Sequence, residues 1–233
     1  MEAMSDWRSF WDSAHSIYVN ARHKDVHYRE IADQIAAFVP SREARVLDYG
    51  CGEAIHADRV AAVAAEVLLC DAAPSVRAAI AARFAGNPRL RTLAPEEVER
   101  LPEKSLDLIV ANSVTQYLTP AELDHLLTVW HRLLTGAGVL IVGDVIPPDA
   151  GAVTDVLALL RYAARNGFFA AALGGLARTV LSPYRKLRSR IGVTRYTEAQ
   201  FAEKLRAAGF TAKRLPHNME HNAARMTFRA HPI

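Results

Sequence analysis

Residues Val46 to Glu53 read Val-Leu-Asp-Tyr-Gly-Cys-Gly-Glu, an apolar run carrying an acid and then a turn bounded by two glycines. Gly50 and Gly52 lack a Cβ, so the chain can take positive φ there and a ligand can lie against its backbone. The alanine-rich segment from Glu53 to Val63 predicts a helix whose first free amides point toward whatever the turn holds. A lone Gly-x-Gly occurs in many loops. Here strand, Asp, Gly-x-Gly, helix, second strand and terminal acid follow in the order that a nucleoside-binding unit requires.

A dinucleotide fingerprint needs a third glycine three positions past the second, so that helix and strand pack closely under a pyrophosphate. That position is Ile55. A smaller nucleoside cofactor is expected instead. The octet closely resembles motif I of the class I S-adenosylmethionine-dependent methyltransferases, and the resemblance covers residues 41–150 well and 196–233 loosely. It implies S-adenosyl-L-methionine as cofactor, with Gly50, Cys51 and Gly52 beside its amino-acid end and Asp48 reaching the ammonium directly or through water. It also implies that Asp71, with Ala72 beside it, binds the ribose hydroxyls, and that Asn112 and Ser113 border the cofactor. A carboxylate can accept from both vicinal hydroxyls. Asp71 follows the turn by about 20 residues, a spacing at which dinucleotide folds also place an acid. An NAD-dependent oxidoreductase therefore stays open on the spacing.

Strand and helix signals alternate through the first 150 residues, which predicts an α/β fold with a parallel, doubly wound sheet. After the strand Glu66 to Asp71, Pro74 to Ala85 reads as a helix, and Leu90 to Leu93 as the third strand. Leu106 to Asn112 is nearly continuous in apolar residues, as a buried parallel strand should be. Thr119-Pro-Ala-Glu122 is a capping box opening a helix whose stripe is Leu123, Leu126, Leu127, Trp130 and Leu134. Gly136 and Gly138 are expected to end it, with Gly138 to Val145 as the fifth strand. A second capping box, Thr197 to Gln200, opens a helix closed by Gly209, followed by strands near Thr211 to Leu215 and Arg225 to Ala230. That closing pair resembles the family's last two strands, one of them antiparallel, so the resemblance implies a mostly parallel seven-stranded sheet with an antiparallel last strand, and the long segment after strand five reads as a helical insertion.

A chain of 233 residues that is 51% hydrophobic suits one large domain better than two. Its expected parts are an amino-terminal helical segment (1–40), a cofactor-binding core (41–150), a helical basic insertion or lid (151–195) and a carboxy-terminal helix and strand pair (196–233). The polar start argues against a secretory signal, and the longest apolar stretch, Phe168 to Ala177, falls short of the roughly 20 residues that span a bilayer. A cytoplasmic location is expected. Cys51 and Cys70 are too few for a disulfide framework, and Cys51 reads as a small residue filling the turn. No His/Asp/Glu cluster has ligand spacing, so no metal is expected.

From Val156 to Thr197 there is no acid, while Arg161, Arg165, Arg178, Arg185, Lys186, Arg188, Arg190 and Arg195 are basic. The net charge of +3 is thus carried by the insertion, and the remainder of the chain is net negative. These arginines flank Phe168, Phe169, Leu173, Leu176, Val180 and Leu181, a pattern that suits an anionic lipid surface or an amphiphilic acceptor. Residues 156–197 are the expected peripheral membrane contact. Nucleic acid is not an expected partner, because the basic residues are not interleaved with stacking aromatics.

Methyl transfer from a sulfonium is an in-line displacement, so the work is to hold the acceptor against the methyl in a dry pocket. Such pockets lie off the carboxyl ends of the strands, where Asn112, Ser113, Gln116, Tyr117 and Asp144 fall. Relatives that methylate the amino groups of bases or of glutamine carry Asn-Pro-Pro-aromatic after strand four; this chain has Asn112-Ser113-Val114-Thr115. That departure favours an oxygen or carbon acceptor on a small, lipid-like or saccharide molecule, and the basic insertion suits an amphiphilic or anionic one. The family's adenine-contacting acid has no clear counterpart among Ala94-Pro95-Glu96-Glu97. The amino-terminal segment is rich in rings: Trp7, Trp11, His15, Tyr18, His23, His27 and Tyr28. Tyr28, Ile31, Ile35 and Phe38 recur at helical spacing as a packing face, whereas Tyr18 is expected at the site. His221, in a polar turn with His217, is the first candidate for base. Tyr18 and Asp144 complete the catalytic candidates. A silent binding module, engaging an anionic partner through the basic insertion, is the alternative to an enzyme.

Overall fold

The computed structural model describes residues 12, 18–179 and 193–233. Trp7, Trp11, His15, Val180, Leu181, Arg185, Lys186, Arg188 and Arg190 lie outside them, as do the side chains of Arg178 and Thr179. The element order is α1 (Ala21–Phe38), β1 (Arg45–Tyr49), α2 (Ala57–Ala61), β2 (Glu66–Cys70), α3 (Pro74–Arg83), β3 (Leu90–Leu93), α4 (Pro95–Glu99), β4 (Leu106–Asn112), α5 (Pro120–Leu133), β5 (Leu134–Val145), α6 (Ala152–Asn166), α7 (Phe169–Thr179), α8 (Glu198–Ala207), β6 (Phe210–Arg214) and β7 (Met226–Pro232).

The strands form one seven-stranded sheet in the order β3-β2-β1-β4-β5-β7-β6. β1 to β5 run parallel, and β7 lies antiparallel between β5 and β6. From β1 the chain winds outward one way through β2 and β3, then returns to the other side for β4. The carboxyl ends of β1 and β4 therefore part at a switch point, where open α/β sheets hold their ligands.

Each buried strand feeds both faces, because successive side chains alternate. Leu47, Leu68, Ile109 and Leu140 pack with Trp130 of α5, Phe201 of α8 and Phe228 on one face. Val46, Val67, Leu108 and Ile141 pack with Ile35 of α1, Val60 of α2 and Ile80 of α3 on the other. A smaller cluster of Val26, Tyr162, Ala163, Phe168 and Ala172 joins α1 to the insertion helices. Both capping boxes form: Thr119 caps α5 and Thr197 caps α8.

Three expectations are corrected. The helix expected over Glu53 to Val63 shrinks to Ala57–Ala61, because Ala54 sits at φ +42° and keeps the chain in a turn. The helix Pro120–Leu133 ends before Leu134, which begins β5 by pairing with Leu106; Gly136 and Gly138 thus lie inside a strand rather than ending a helix. The helix from Pro74 stops at Arg83, two residues short of Ala85. Within the insertion, Gly167 at φ +74° closes α6, and α7 begins at Phe169.

Trp130 is fully buried, and its indole Nε1 has no hydrogen-bond partner. Trp130→Ala is expected to cost about 3–5 kcal/mol through cavity formation. Trp130→Phe should cost much less, since it removes a buried orphan donor along with part of the ring. Urea unfolding of both variants measures the difference.

Candidate functional site

A cleft of about 460 Å³ opens at the switch point, and its floor is the turn after β1. Gly50 and Gly52 take φ of +74° and +56°. The protein itself crowds them: the Val114 side chain occupies the place of a Cβ on Gly50, and Tyr28 Oη would lie 2.5 Å from a Cβ on Gly52. The Cys70 carbonyl accepts from the amides of Gly50 (2.7 Å) and Cys51 (3.0 Å). Asp71 Oδ2 accepts from the Gly52 amide (3.0 Å), and its Oδ1 from the Ala73 amide (2.8 Å). The Glu53 amide donates to Tyr28 Oη at 2.8 Å.

Two readings change here. The amides expected at a helix start beside the turn are instead engaged by acceptors of the protein, and α2 begins four residues beyond Glu53. Tyr28, expected only to pack, supports the turn through its hydroxyl.

Asp48 and Asp71 border this half of the cleft with Cys51, Ala72, Asn112 and Ser113. Burial, with Asp71 nearby, pushes the Asp48 carboxyl up to about 7. Burial also raises Asp71, against the pull of its amide donors. Two carboxyls sharing a poorly solvated pocket favour a cationic ligand group, which would relieve both. The Cys51 and Cys70 thiols are raised by burial and stay protonated at neutral pH. Pro95 reaches the cleft, whereas Glu96 is exposed and Glu97 caps its own helix by accepting from the Ala94 amide at 2.7 Å.

The cleft continues into a polar chamber walled by Tyr18, His27, Gln116, Asp144, Asp155, Leu159, Glu220, His221 and Arg225. Ser113 and Asp144, at the ends of β4 and β5, take φ of +58° and +62°, and Ser113 Oγ donates to Asp144 Oδ2 at 2.9 Å. Such conformations cost non-glycine residues about 1–3 kcal/mol each and persist where surrounding bonds fix them. Here those bonds are plentiful. Arg225 Nη1 donates to Asp144 Oδ2 (2.6 Å) and its Nη2 to Asp155 Oδ1 (2.9 Å), while Asn218 donates to Asp144 Oδ1 (3.1 Å). Asp144 is therefore an anchor with both oxygens engaged, raised by burial against the opposing Arg225. Asp155 carries this network into α6 and so fastens the insertion to the core.

Glu220 lies between two imidazoles. Its Oε2 is 3.4 Å from His27 Nδ1 and 3.6 Å from His221 Nδ1, and its Oε1 accepts from Asn112 Nδ2 at 2.9 Å. Burial alone would raise Glu220, but the two histidines hold it well below the usual carboxylate range. Burial works against a charged His27, and Glu220 outweighs it, so its pKa is raised. His221 stacks on Tyr162 with ring centroids 4.7 Å apart. His23 stacks on Phe168 and is lowered to about 4 by burial and by His27, which leaves it neutral. Burial lifts the Tyr18 hydroxyl far above its usual value, keeping it a neutral donor. His217 is exposed and outside the cleft lining. Among the described residues, no group of His, Cys, Asp or Glu is placed to hold a metal.

Residues 47–140 match the family model described as a methyltransferase domain. The chain has the fold of the class I methyltransferases. Solved methyltransferases share its fold. The magnesium protoporphyrin IX methyltransferase of Synechocystis PCC 6803, solved with S-adenosylmethionine, superposes with a TM-score of 0.63 at 14% identity, covering 100% of this chain and 98% of that one. Phosphoethanolamine N-methyltransferase 1 of Haemonchus contortus gives a TM-score of 0.54 at 23% identity over 64% of this chain, which spans only 34% of that protein. Human N-acetylserotonin methyltransferase gives 0.55 at 14% identity, with 98% of this chain and 54% of that one covered. No curated protein matches the chain by sequence.

Sequence reasoning about the cleft missed Glu220, Asp155 and Arg225. Glu220 lay beside the singled-out His221, and the clue was an acid inside a histidine-rich turn. Asp155 and Arg225 gave no local signal, since each is meaningful only through the other.

Removing Asp144 leaves the buried Arg225 guanidinium half-compensated. Asp144→Ala is expected to destabilise the protein by about 3–5 kcal/mol. Hydrogen exchange should show α6 opening first, because Arg225 would then hold Asp155 without its second anchor.

Proposed function

We propose that the protein is an S-adenosylmethionine-dependent methyltransferase acting on an oxygen or carbon of a small-molecule acceptor. The observation that supports this most is the continuity of the cleft: the glycine turn and the chamber of ionisable side chains share one cavity. Donor and acceptor can then meet without leaving it. The bound donor supplies an electrophilic methyl on a sulfonium.

In this reading Asp48 takes the cofactor ammonium. Asp71 holds the ribose hydroxyls with the lone pairs left free by the Gly52 and Ala73 amides. Gly50, Cys51, Gly52, Ala72, Asn112 and Ser113 border the cofactor. Tyr18 donates a hydrogen bond that orients the acceptor. His221 removes the acceptor proton as the new bond to the methyl forms and the carbon–sulfur bond breaks. Stacking on Tyr162 fixes the ring, and Glu220 near Nδ1 stabilises the imidazolium that results. Asp144 positions Ser113 and Arg225 rather than moving a proton. In the chamber Asp144 and Asp155 are paired with Arg225, and Glu220 with His27 and His221. That balance favours an uncharged acceptor over an anionic one.

Calorimetry with S-adenosylmethionine and with NAD tests the cofactor, and transfer of labelled methyl to a small-molecule extract tests turnover. Binding of the first alone, followed by a labelled product, is the expected result. Binding without any product would favour a silent binding module.

The raised Asp48 carboxyl gives the cofactor reading a pH signature. With its ligand-free pKa near 7, Asp48 must lose a proton before it pairs with an ammonium. Affinity should be flat above pH 8 and fall by up to about tenfold per unit below pH 7. Calorimetry in buffers of different ionisation enthalpy should register the released proton. Asp48→Asn should abolish most binding yet raise the melting temperature of the ligand-free protein above pH 7, an advantage that shrinks as pH falls through 7 and is gone only below about pH 4, where the unfolded carboxyl is protonated as well.

His221→Gln should lower kcat by about 10²–10⁴-fold and leave cofactor affinity unchanged. Equal loss of cofactor binding would point to a structural role instead.

A further inference from the structure

Among the described residues, five large hydrophobic side chains stand exposed: Val153 (73%), Leu157 (45%), Phe169 (45%), Leu173 (50%) and the last residue, Ile233 (83%). The first four lie on α6 and α7. A folded protein scatters such residues singly, so their concentration on two adjoining helices marks a surface that is covered in use.

The two sides of α6 differ. Asp155, Leu159 and Tyr162 turn inward: Asp155 pairs with Arg225, Leu159 lines the cleft, and Tyr162 stacks on His221. Val153, Leu157, Arg161 and Arg165 recur every four residues on the other side, and all four are exposed. On α7, Phe168 just before the helix and Ala172 are buried against Val26 and Tyr162, while Phe169 and Leu173 face out. Asp155, the one acid of α6, is drawn inward by Arg225, and no acid follows until Glu198. The outward face is therefore apolar and cationic.

We propose that the outer face of α6 and α7 docks on an anionic lipid surface. Both of its components find a partner there. The apolar side chains enter the boundary of the acyl region, and the arginines meet acidic headgroups. A second copy of the chain would bring two cationic faces together, and a nucleic acid would satisfy the arginines but not the apolar groups. The inference is independent of methyl transfer, because α6 separates this face from the chamber. It places a lipid surface directly behind the wall of the cleft.

Sedimentation of the full chain with vesicles tests the proposal, using phosphatidylcholine alone and phosphatidylcholine mixed with phosphatidylglycerol. The protein is expected to sediment with the mixed vesicles only and to be released by salt. Leu157→Ser with Leu173→Ser, and separately Arg161→Gln with Arg165→Gln, should each weaken partitioning by at least about tenfold. Both pairs are surface changes, so unfolding midpoints should hold, and the unchanged midpoint shows that lost binding is not lost folding. The proposal fails if the wild-type protein stays in the supernatant with mixed vesicles or binds both vesicle types equally. It also fails if the folded variants bind as the wild type does, or if light scattering shows that the face is instead occupied by a second copy.

Discussion

The end of β2 holds the turn after β1 in place, and the rest of the site is built outward from that junction. The Cys70 carbonyl takes two successive amides of the turn, and the Asp71 carboxylate takes the third. Peptide groups that would otherwise point unsatisfied into a cleft are thereby fixed, at the positive φ that Gly50 and Gly52 permit. The same carboxylate lies close enough to Asp48 to help keep it protonated near neutrality. One acid thus shapes the backbone of the floor and adds to the burial that raises its neighbour.

A second constraint organises the far end of the cleft. β4 and β5 end in residues held at left-handed φ, Ser113 and Asp144, which hydrogen-bond to each other. Their strain is tolerated because Arg225, Asn218 and Asp155 complete a network that reaches from the sheet to α6 and to the loop before β7. Burying these charges is costly unless every partner is present, which ties the insertion to the core as a condition of stability. Glu220 performs a similar service for His27 and His221. The chamber is consequently braced by ion pairs and hydrogen bonds, and α6 is both its wall and a piece of the outer surface.

The architecture resembles that of solved methyltransferases whose identities to this chain do not exceed 23%. Such likeness speaks for the fold of this chain. Its chamber is lined by side chains from α1, α6 and the β6–β7 loop, segments outside the matched residues 47–140.

The antiparallel last strand was implied by the family resemblance, whereas local chemistry was enough to read the succession of strands, both capping boxes and the glycine turn. Each of these is written in neighbouring residues: alternation, runs of apolar side chains, a threonine three before a glutamate. The boundaries that failed did so for long-range reasons. Leu134 left its helix because Leu106 offered a strand to pair with, and the segment after Gly52 stayed a turn because Tyr28, 25 residues earlier, took the Glu53 amide. What the sequence by itself determined was the floor of the site, since a tight turn needs residues adjacent in the chain. What only the tertiary structure decided was the chamber: Glu220 becomes a partner of His27, and Asp155 of Arg225, only when folding brings remote charges out of water together, and nothing local records that pairing.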